Sequence, residues 1–219
     1  MKALFAGVLI LLGSTLSAAE EAKSDVKPAN VLIIGDSISI GYTRYLSKML
    51  KGRAVVKHNQ GNAQHTGTGL KKLDKWIGKT KWDVIHFNWG LWDLCYRGKN
   101  NRDKVNGKIT TPIDQYEKNL EQLVLKLKKT GAALIWAHTT VVPEKEDGRF
   151  VGDDKKYNDV AAKIMKKHGV VINDLHALSK SFPAELFVGP GNVHFRKSGS
   201  TKLAEQVSIK ISEALRGKK

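Results

Sequence analysis

The 219-residue sequence predicts an α/β fold, an open sandwich built on a parallel sheet, and two observations support this prediction. Five short apolar runs contain many β-branched residues and lack strict polar alternation, which is typical of strands covered on both faces. Between these runs, apolar residues recur at helical spacing in stretches that each end at a glycine. The alternation of strand and helix implies right-handed crossovers between parallel strands. The length suits one domain.

Each element follows from its own stretch of residues. The predicted strands lie at 31–34, 54–56, 84–87, 133–137 and 170–172. The apolar helical stripes span 42–50, 70–77, 113–127, 157–165 and 203–215, and they stop at Gly52, Gly78, Gly131, Gly169 and Gly217. Two long polar connections, 97–111 and 143–153, follow the third and fourth strands. Because ligands bind outside the carboxyl ends of such strands, we expect both connections to rim the site.

The N-terminus has the pattern of an export signal. Lys2 precedes an apolar run over 3–12, and small residues follow it. This is the order of a secretory signal peptide, and the run is too short to span a bilayer. We therefore predict a signal peptide at 1–19, a polar leader at 20–29 and a single domain at 30–217, in a secreted or periplasmic protein without an integral membrane anchor. The alternative is a buried N-terminal helix.

Charge and cysteine content narrow the possible partners. The sequence has 37 Lys and Arg against 21 Asp and Glu, a formal net charge of +16. Such a surface attracts polyanions, although solubility alone explains it equally well. The single cysteine, Cys95, excludes an internal disulfide framework and a cysteine-based metal finger. No histidine pair has the spacing of a helical metal site, so we predict no metal.

Two residues at the expected carboxyl edge of the sheet suit nucleophilic chemistry. Ser37 follows the first strand and precedes a helix, whose unpaired N–H groups can stabilise an oxyanion beside it. The serine can equally be a simple helix N-cap. His194 precedes the last helix and can reach the same edge. A serine and a histidine are the minimum for acyl transfer, in which the imidazole takes up a proton and returns it.

Four ordered blocks of residues contain these two, and through them the chain resembles the SGNH (GDSL) hydrolase superfamily over the whole length after the leader. The blocks are Gly35-Asp36-Ser37, Asn59-Gln60-Gly61-Asn62, Asn88-Trp89-Gly90-Leu91-Trp92-Asp93 and Asn192-Val193-His194. The resemblance implies a flavodoxin-like three-layer sandwich with a central five-stranded parallel sheet and no metal or organic cofactor. It makes Ser37 the nucleophile, His194 the base, and the backbone N–H groups of Ser37 and Gly61 oxyanion donors. It also implies esterase, lipase or carbohydrate deacetylase activity.

The sequence departs from this family in its third block. The family reads Gly-X-Asn-Asp there, and the asparagine side chain donates to the oxyanion. In this chain Trp92 stands at the asparagine position. We predict that Asn88, at the strand tip, supplies the missing amide, and the alternative is the indole N–H of Trp92. If neither group reaches, the lost donor lowers turnover by about 10²- to 10³-fold.

The fifth block departs from the family more sharply. The family reads Asp-X-X-His, with the aspartate orienting the histidine, whereas this chain has Gly191 three residues before His194. Asn192 lies closer, but an amide carries no charge to stabilise imidazolium. The remaining possibilities are a backbone carbonyl, a distant carboxylate such as Asp174 or Asp93, or a slow serine–histidine dyad.

Aromatic and basic residues follow the third strand. Trp89 and Trp92 are candidate substrate-binding residues because aromatic faces stack on sugar rings, and the cations of the 97–111 connection would meet carboxylate or sulfate groups. The alternative is that the tryptophans pack beneath the loop.

We therefore expect a secreted serine esterase that removes short acyl groups, acetyl above all, from carbohydrate. Its partner would be a small-molecule or polysaccharide ester, which can be anionic, and we expect no specific nucleic acid. The alternatives are a lipolytic esterase or thioesterase of the same superfamily, and a catalytically weakened carbohydrate-binding protein. The oligomeric state does not follow from the sequence.

Overall fold

A five-stranded parallel sheet forms the centre of the computed structural model, which describes residues 27–217. The strands of the chain are β1 (Ala29–Ile34), β2 (Ala54–His58), β3 (Val84–Phe87), β4 (Tyr96–Arg97), β5 (Lys108–Ile109), β6 (Ala133–Ala137) and β7 (Val171–Asn173). The order across the sheet is β2-β1-β3-β6-β7, with every neighbouring pair parallel. The strands β4 and β5 form a separate antiparallel pair.

Helices cover both faces of this sheet. They are α1 (Ser37–Met49), α2 (Thr66–Ile77), α3 (Ile113–Lys128), α4 (Asp153–His168), α5 (Leu175–Lys180) and α6 (Lys197–Arg216), with a 3₁₀ turn at Ala184–Leu186. The helix α1 packs against α6, and α3 packs between α2 and α4. The predicted three-layer sandwich with a five-stranded parallel sheet is therefore confirmed.

The core explains why the strands read as apolar runs. All four residues of β3 are buried, and so are the last four residues of β1. One of them, His86, is polar and has no exposed surface. The Asn173 amide lies 3.1 Å from its Nε2, and burial lowers the pKa of His86 to about 3. The histidine is therefore a neutral, hydrogen-bonded part of the core.

The polar connection after β3 is more ordered than the sequence indicates. It contains the β4–β5 pair, in which Tyr96 lies opposite Ile109. The N–H of Thr111 donates to the Asp93 carbonyl at 2.9 Å, and this hydrogen bond joins the two ends of the connection. Segment 97–108 is thus held as a hairpin at the carboxyl edge of the sheet.

Two predictions concern the N-terminal part of the chain and its relation to a membrane. Between residues 27 and 217, no helix is both long and apolar enough to cross a membrane. The predicted signal peptide at 1–19 lies outside the described residues, as does most of the leader at 20–29. Strand β1 begins at Ala29, the last residue of that leader.

Candidate active site

Ser37 is the first residue of α1 and lies at the carboxyl end of β1. Asp36 caps this helix, because its Oδ1 accepts the N–H of Ile38 at 2.9 Å. The cap therefore occupies the second amide of the helix and not the first. Within residues 27–217 the N–H of Ser37 has no hydrogen-bond acceptor, so it is available to a ligand. The serine has the position of an N-terminal helix residue beside free donors.

His194 and Ser37 meet although 157 positions separate them in the chain. The His194 Nε2 lies 2.9 Å from the Ser37 Oγ, which is the distance of a hydrogen bond. The loop after β2 is held beside Ser37, since the Gly35 N–H donates to Asn59 Oδ1 at 2.8 Å. The carboxyl edge therefore brings together the two residues that acyl transfer requires.

Asn192 orients the imidazole of His194. Its Oδ1 accepts the backbone N–H of His194 at 2.9 Å and lies 2.8 Å from the ring Nδ1. Because a backbone N–H can only donate, the shared atom is the amide oxygen, and the Nδ1 must carry a proton toward it. The lone pair is then on Nε2 and points at the Ser37 hydroxyl. A neutral amide thus selects the tautomer of a general base.

The carboxylates considered from the sequence have other partners. Asp174 caps α5 and lies 3.1 Å from His138 Nδ1. Asp93 is fully buried, its Oδ1 accepts both the N–H and the hydroxyl of Thr66, and burial raises its pKa to about 7. Neither carboxylate forms a hydrogen bond with His194, whose ring contacts Asn192 and Ser37. Asn192 lacks the charge that an orienting aspartate has, but its side chain is the one that contacts the Nδ1 of His194.

Gly191 shows why the usual aspartate is absent from this backbone. Its φ of 69° is a conformation that glycine adopts readily and other residues adopt at a cost. A side chain there would also bring its Cβ to 2.4 Å from the Lys145 carbonyl oxygen. The loop that carries Lys145 therefore occupies the space of an aspartate at this position.

The predicted oxyanion donors differ in their placement. Asn88 does not line the Ser37 cavity, and its Nδ2 donates to the Ala137 carbonyl at 2.7 Å. The same Nδ2 lies 3.3 Å from the Thr139 hydroxyl, so both of its hydrogens have partners in or after β6. These contacts do not favour Asn88 as an oxyanion donor, and that role stays a prediction. Gly61 lies on an exposed loop with a φ of 73°. Its role as a donor stays a prediction.

Asn62 is a candidate donor that the sequence reasoning missed. It lines the cavity with Ser37, and its Oδ1 accepts the Gln64 N–H at 2.8 Å. No acceptor among residues 27–217 takes its Nδ2, so the amide is free to donate. Asn62 follows Gly61 in the second block, and this position in the block is the sequence signal that points to it.

The two tryptophans after β3 have different environments. Trp89 is 1% exposed, its Nε1 donates to the Ala63 carbonyl and its ring packs against Phe87. The prediction that Trp89 binds substrate is wrong, because the side chain belongs to the core. Trp92 lines the cavity, and the Arg97 guanidinium lies 4.4 Å above its ring. Its role in binding therefore stays open to test.

The serine and histidine open into a cavity of about 670 Å³ with a polar wall. The wall includes Arg97, Lys99, Arg102 and Arg149. Arg149 is buried, donates to the Leu91 carbonyl at 2.6 Å and pairs with Glu146 at 2.6 Å. The site is thus a cationic pocket and not an apolar groove.

The pKa of His194 is lower than that of a free imidazole. Burial is the largest cause, followed by the positive charges of Arg149 and then Arg102. A general base must be neutral, so we expect kcat/KM to rise through a midpoint below pH 6.5 and to stay level near pH 7. The measurement is kcat/KM on a neutral ester between pH 4.5 and 8.5. Replacing Arg102 with glutamine should move the midpoint to higher pH. A midpoint at or above pH 7 in the unmodified protein would contradict this account.

A second serine–histidine contact lies nearby. Ser39 Oγ is 2.7 Å from His58 Nε2, and Ser39 is 3% exposed. No substrate carbonyl can approach so buried a hydroxyl, so this pair stabilises the junction of α1 and β2. Across residues 27–217, no three His, Cys, Asp or Glu side chains cluster as metal ligands would.

Comparison with solved structures supports the fold. An acetyl xylan esterase, AlAXEase, matches with a TM-score of 0.65 at 19% identity, covering 81% of this chain and 97% of its own. A lipase/acylhydrolase from Enterococcus faecalis gives 0.65 at 18% identity, with 84% and 95% covered. Axe2, an acetylxylan esterase from Geobacillus stearothermophilus, gives 0.67 at 18%, with 82% and 92% covered. A search of curated protein sequences finds no significant relative.

The family comparison covers the whole site. The model of the GDSL-like lipase/acylhydrolase family matches residues 31–207, from β1 into α6, and so includes both Ser37 and His194. With a match over most of its length, this chain belongs to the GDSL-like lipase/acylhydrolase family.

Proposed function

We propose that the protein is an exported serine esterase that removes short acyl groups, acetyl above all, from carbohydrate. The observation that supports this most directly is the chain of contacts Ser37–His194–Asn192, which fixes a basic Nε2 against a serine hydroxyl. Family membership supports ester hydrolysis, and the signal pattern at 1–19 supports export. The fold neighbours that are named acetyl xylan esterases support a carbohydrate ester.

The reaction we propose has two steps. Ser37 Oγ attacks the ester carbonyl while its proton passes to His194 Nε2, and Asn192 Oδ1 holds the Nδ1–H throughout. The N–H of Ser37, with Asn62 and Gly61 as further donors, stabilises the oxyanion. The imidazolium then returns the proton to the leaving alcohol, which leaves an acyl-Ser37. Water attacks this ester and gives a proton to His194 Nε2, and the imidazolium returns that proton to Ser37 Oγ as the carboxylic acid leaves.

The shape of the site favours a short acyl group on a polar alcohol. Polar and charged residues form most of the cavity wall, including Asn62, Asn100 and Asn101. A long acyl chain would need a wide apolar surface instead, since burying it against charges is unfavourable. The ring of Trp92 lies in this wall and offers an aromatic face for a sugar.

Acyl-chain selectivity tests the proposal. The measurement is kcat/KM on 4-nitrophenyl acetate, butyrate, octanoate and palmitate, together with acetate release from acetylated xylan. We expect the acetate to be preferred over the octanoate by at least about tenfold. A preference for octanoate or palmitate would establish the lipolytic alternative. The absence of any hydrolysis, with acetylated xylan still bound, would establish a carbohydrate-binding protein.

A further inference from the structure

We propose that the alcohol part of the substrate carries a fixed negative charge, a carboxylate or a sulfate, which binds to Arg97, Lys99 and Arg102. This inference rests on the proposed esterase function and specifies its substrate class. An acetyl group has only a few heavy atoms, whereas the cavity measures about 670 Å³. Most of this volume is therefore available to the alcohol part, and the charges of the wall act on that part.

Arg97 is the most available cation of this wall. Its guanidinium stacks on Trp92 at 4.4 Å, and no carboxylate within residues 27–217 forms an ion pair with it. This cation–π contact holds the guanidinium over the indole, and no acceptor among residues 27–217 takes its N–H groups. A planar guanidinium with free edges binds carboxylate or sulfate oxygens in a bidentate manner.

The remaining charges of the wall do not neutralise one another. Glu146, which has no exposed surface on its side chain, is shared by Arg149 at 2.6 Å and Arg102 at 3.1 Å. The side chain of Arg102 is still 42% exposed, and Lys99 is exposed without a carboxylate partner in the described part of the chain. One buried carboxylate thus meets two arginines, and two further cations have none.

Among residues 27–217, Asp36 is the one carboxyl group that lines this cavity, and its environment makes it a poor counter-ion. The side chain is 3% exposed, its Oδ1 accepts the Ile38 N–H, and burial raises its pKa. The cavity therefore presents an excess of positive charge on hairpin 97–108 directly beside Ser37 and His194. A cleft of one sign in low-dielectric surroundings concentrates ligands of the opposite sign.

The test compares matched anionic and neutral polymers. The substrates are acetylated polygalacturonate and the same polymer with its carboxylates methyl-esterified, then an acetylated sulfated galactan and its desulfated form. The readout is the ratio of acetate-release kcat/KM between the anionic and the neutral member of each pair. We expect a ratio of about 10 to 100 for one pair, falling as NaCl rises from 0.05 to 0.5 M. The pair with the higher ratio identifies the anionic group.

Variants test whether the cations of the cavity wall cause the preference for the anionic polymer. Arg97→Gln should lower it about tenfold or more, and Lys99→Gln, on an exposed side chain that cannot disturb the fold, about threefold. Arg216→Gln, the same charge change at the exposed end of α6, should keep the wild-type ratio. Wild-type ratios at or below 1, or a ratio unchanged in Arg97→Gln and Lys99→Gln, would overturn the inference. A protein that hydrolyses no acetyl ester at all, including 4-nitrophenyl acetate, refutes the proposed function instead.

Discussion

Replacing Ser37 with alanine is expected to lower kcat on 4-nitrophenyl acetate by about 10³- to 10⁵-fold without unfolding the protein. The Ser37 hydroxyl lies 2.9 Å from a base, and in the described part of the chain it is the serine that lines the cavity. Removing the nucleophile of a serine hydrolase eliminates the acyl-enzyme, and only the oxyanion donors and binding remain. Turnover and the thermal unfolding midpoint of the same preparation give both readouts.

Two serines of the same helix serve as controls for this change. Ser39→Ala removes the partner of His58, and Ser47→Ala removes a hydroxyl that donates to the Thr43 carbonyl. We expect both variants to keep kcat within about tenfold of the unmodified protein, since neither hydroxyl faces the cavity. Equal rates for Ser37→Ala and the unmodified protein would remove the serine mechanism. A large loss in Ser39→Ala alone would instead assign the nucleophile to Ser39, two residues further along α1.

The second large effect is expected at Asn192. Asn192→Ala removes the acceptor of the Nδ1–H, so we expect kcat to fall by about 10²- to 10³-fold. Asn192→Asp keeps the acceptor and adds a charge that stabilises imidazolium. We therefore expect that variant to raise kcat by about 10- to 100-fold and to move the acid limb of the pH profile to higher pH.

The expected gain is smaller than the roughly 10⁴-fold loss known for aspartate-to-asparagine changes in serine proteases. In those proteins the amide imposes the wrong tautomer, whereas here the backbone N–H of His194 already forces the Asn192 oxygen toward the ring. Only the missing charge remains to be gained. A kcat that is unchanged in Asn192→Ala would show that the amide does not orient the base. A kcat lowered in Asn192→Asp would show that the charge is not what limits the rate.

The sheet followed readily from the sequence because its signals are local. Strands β3 and β6 have the predicted bounds. The predicted bounds of β1 and β2 differ by two residues at one end, and those of β7 by one residue at each end. Apolar runs and terminal glycines report directly on burial and helix ends. The helix α5 escaped notice because six residues are too few for a periodic pattern. The β4–β5 pair escaped for the same reason, with two residues in each strand.

The site was only partly predictable, because its details depend on where loops return. Trp89 and Trp92 lie three residues apart in an irregular stretch, where no alternation separates a buried side chain from an exposed one. Asn88 depends on the carbonyl of Ala137, which is distant in sequence. Asn192 was the exception, since asparagine two residues before an N–H often accepts that N–H in a turn. This turn pattern predicts the Asn192–His194 contact, whereas the absence of a charge on the amide favours a carboxylate in that role.

The hairpin over 97–108 has a consequence for how related enzymes can diverge. Its base is fixed by the Tyr96–Ile109 pairing and by the Thr111–Asp93 hydrogen bond. Its further contacts, Arg102 to Glu146 and the Lys104 N–H to the Asp147 carbonyl, go to the 143–153 connection and not to the strands of the central sheet. Under the substrate class proposed above, recognition of the leaving group can change by exchange of this segment, while Ser37 and His194, which lie on other elements, keep their places. Transplanting the tip between homologues is accordingly a practical route to new substrate ranges, in the laboratory as in natural evolution.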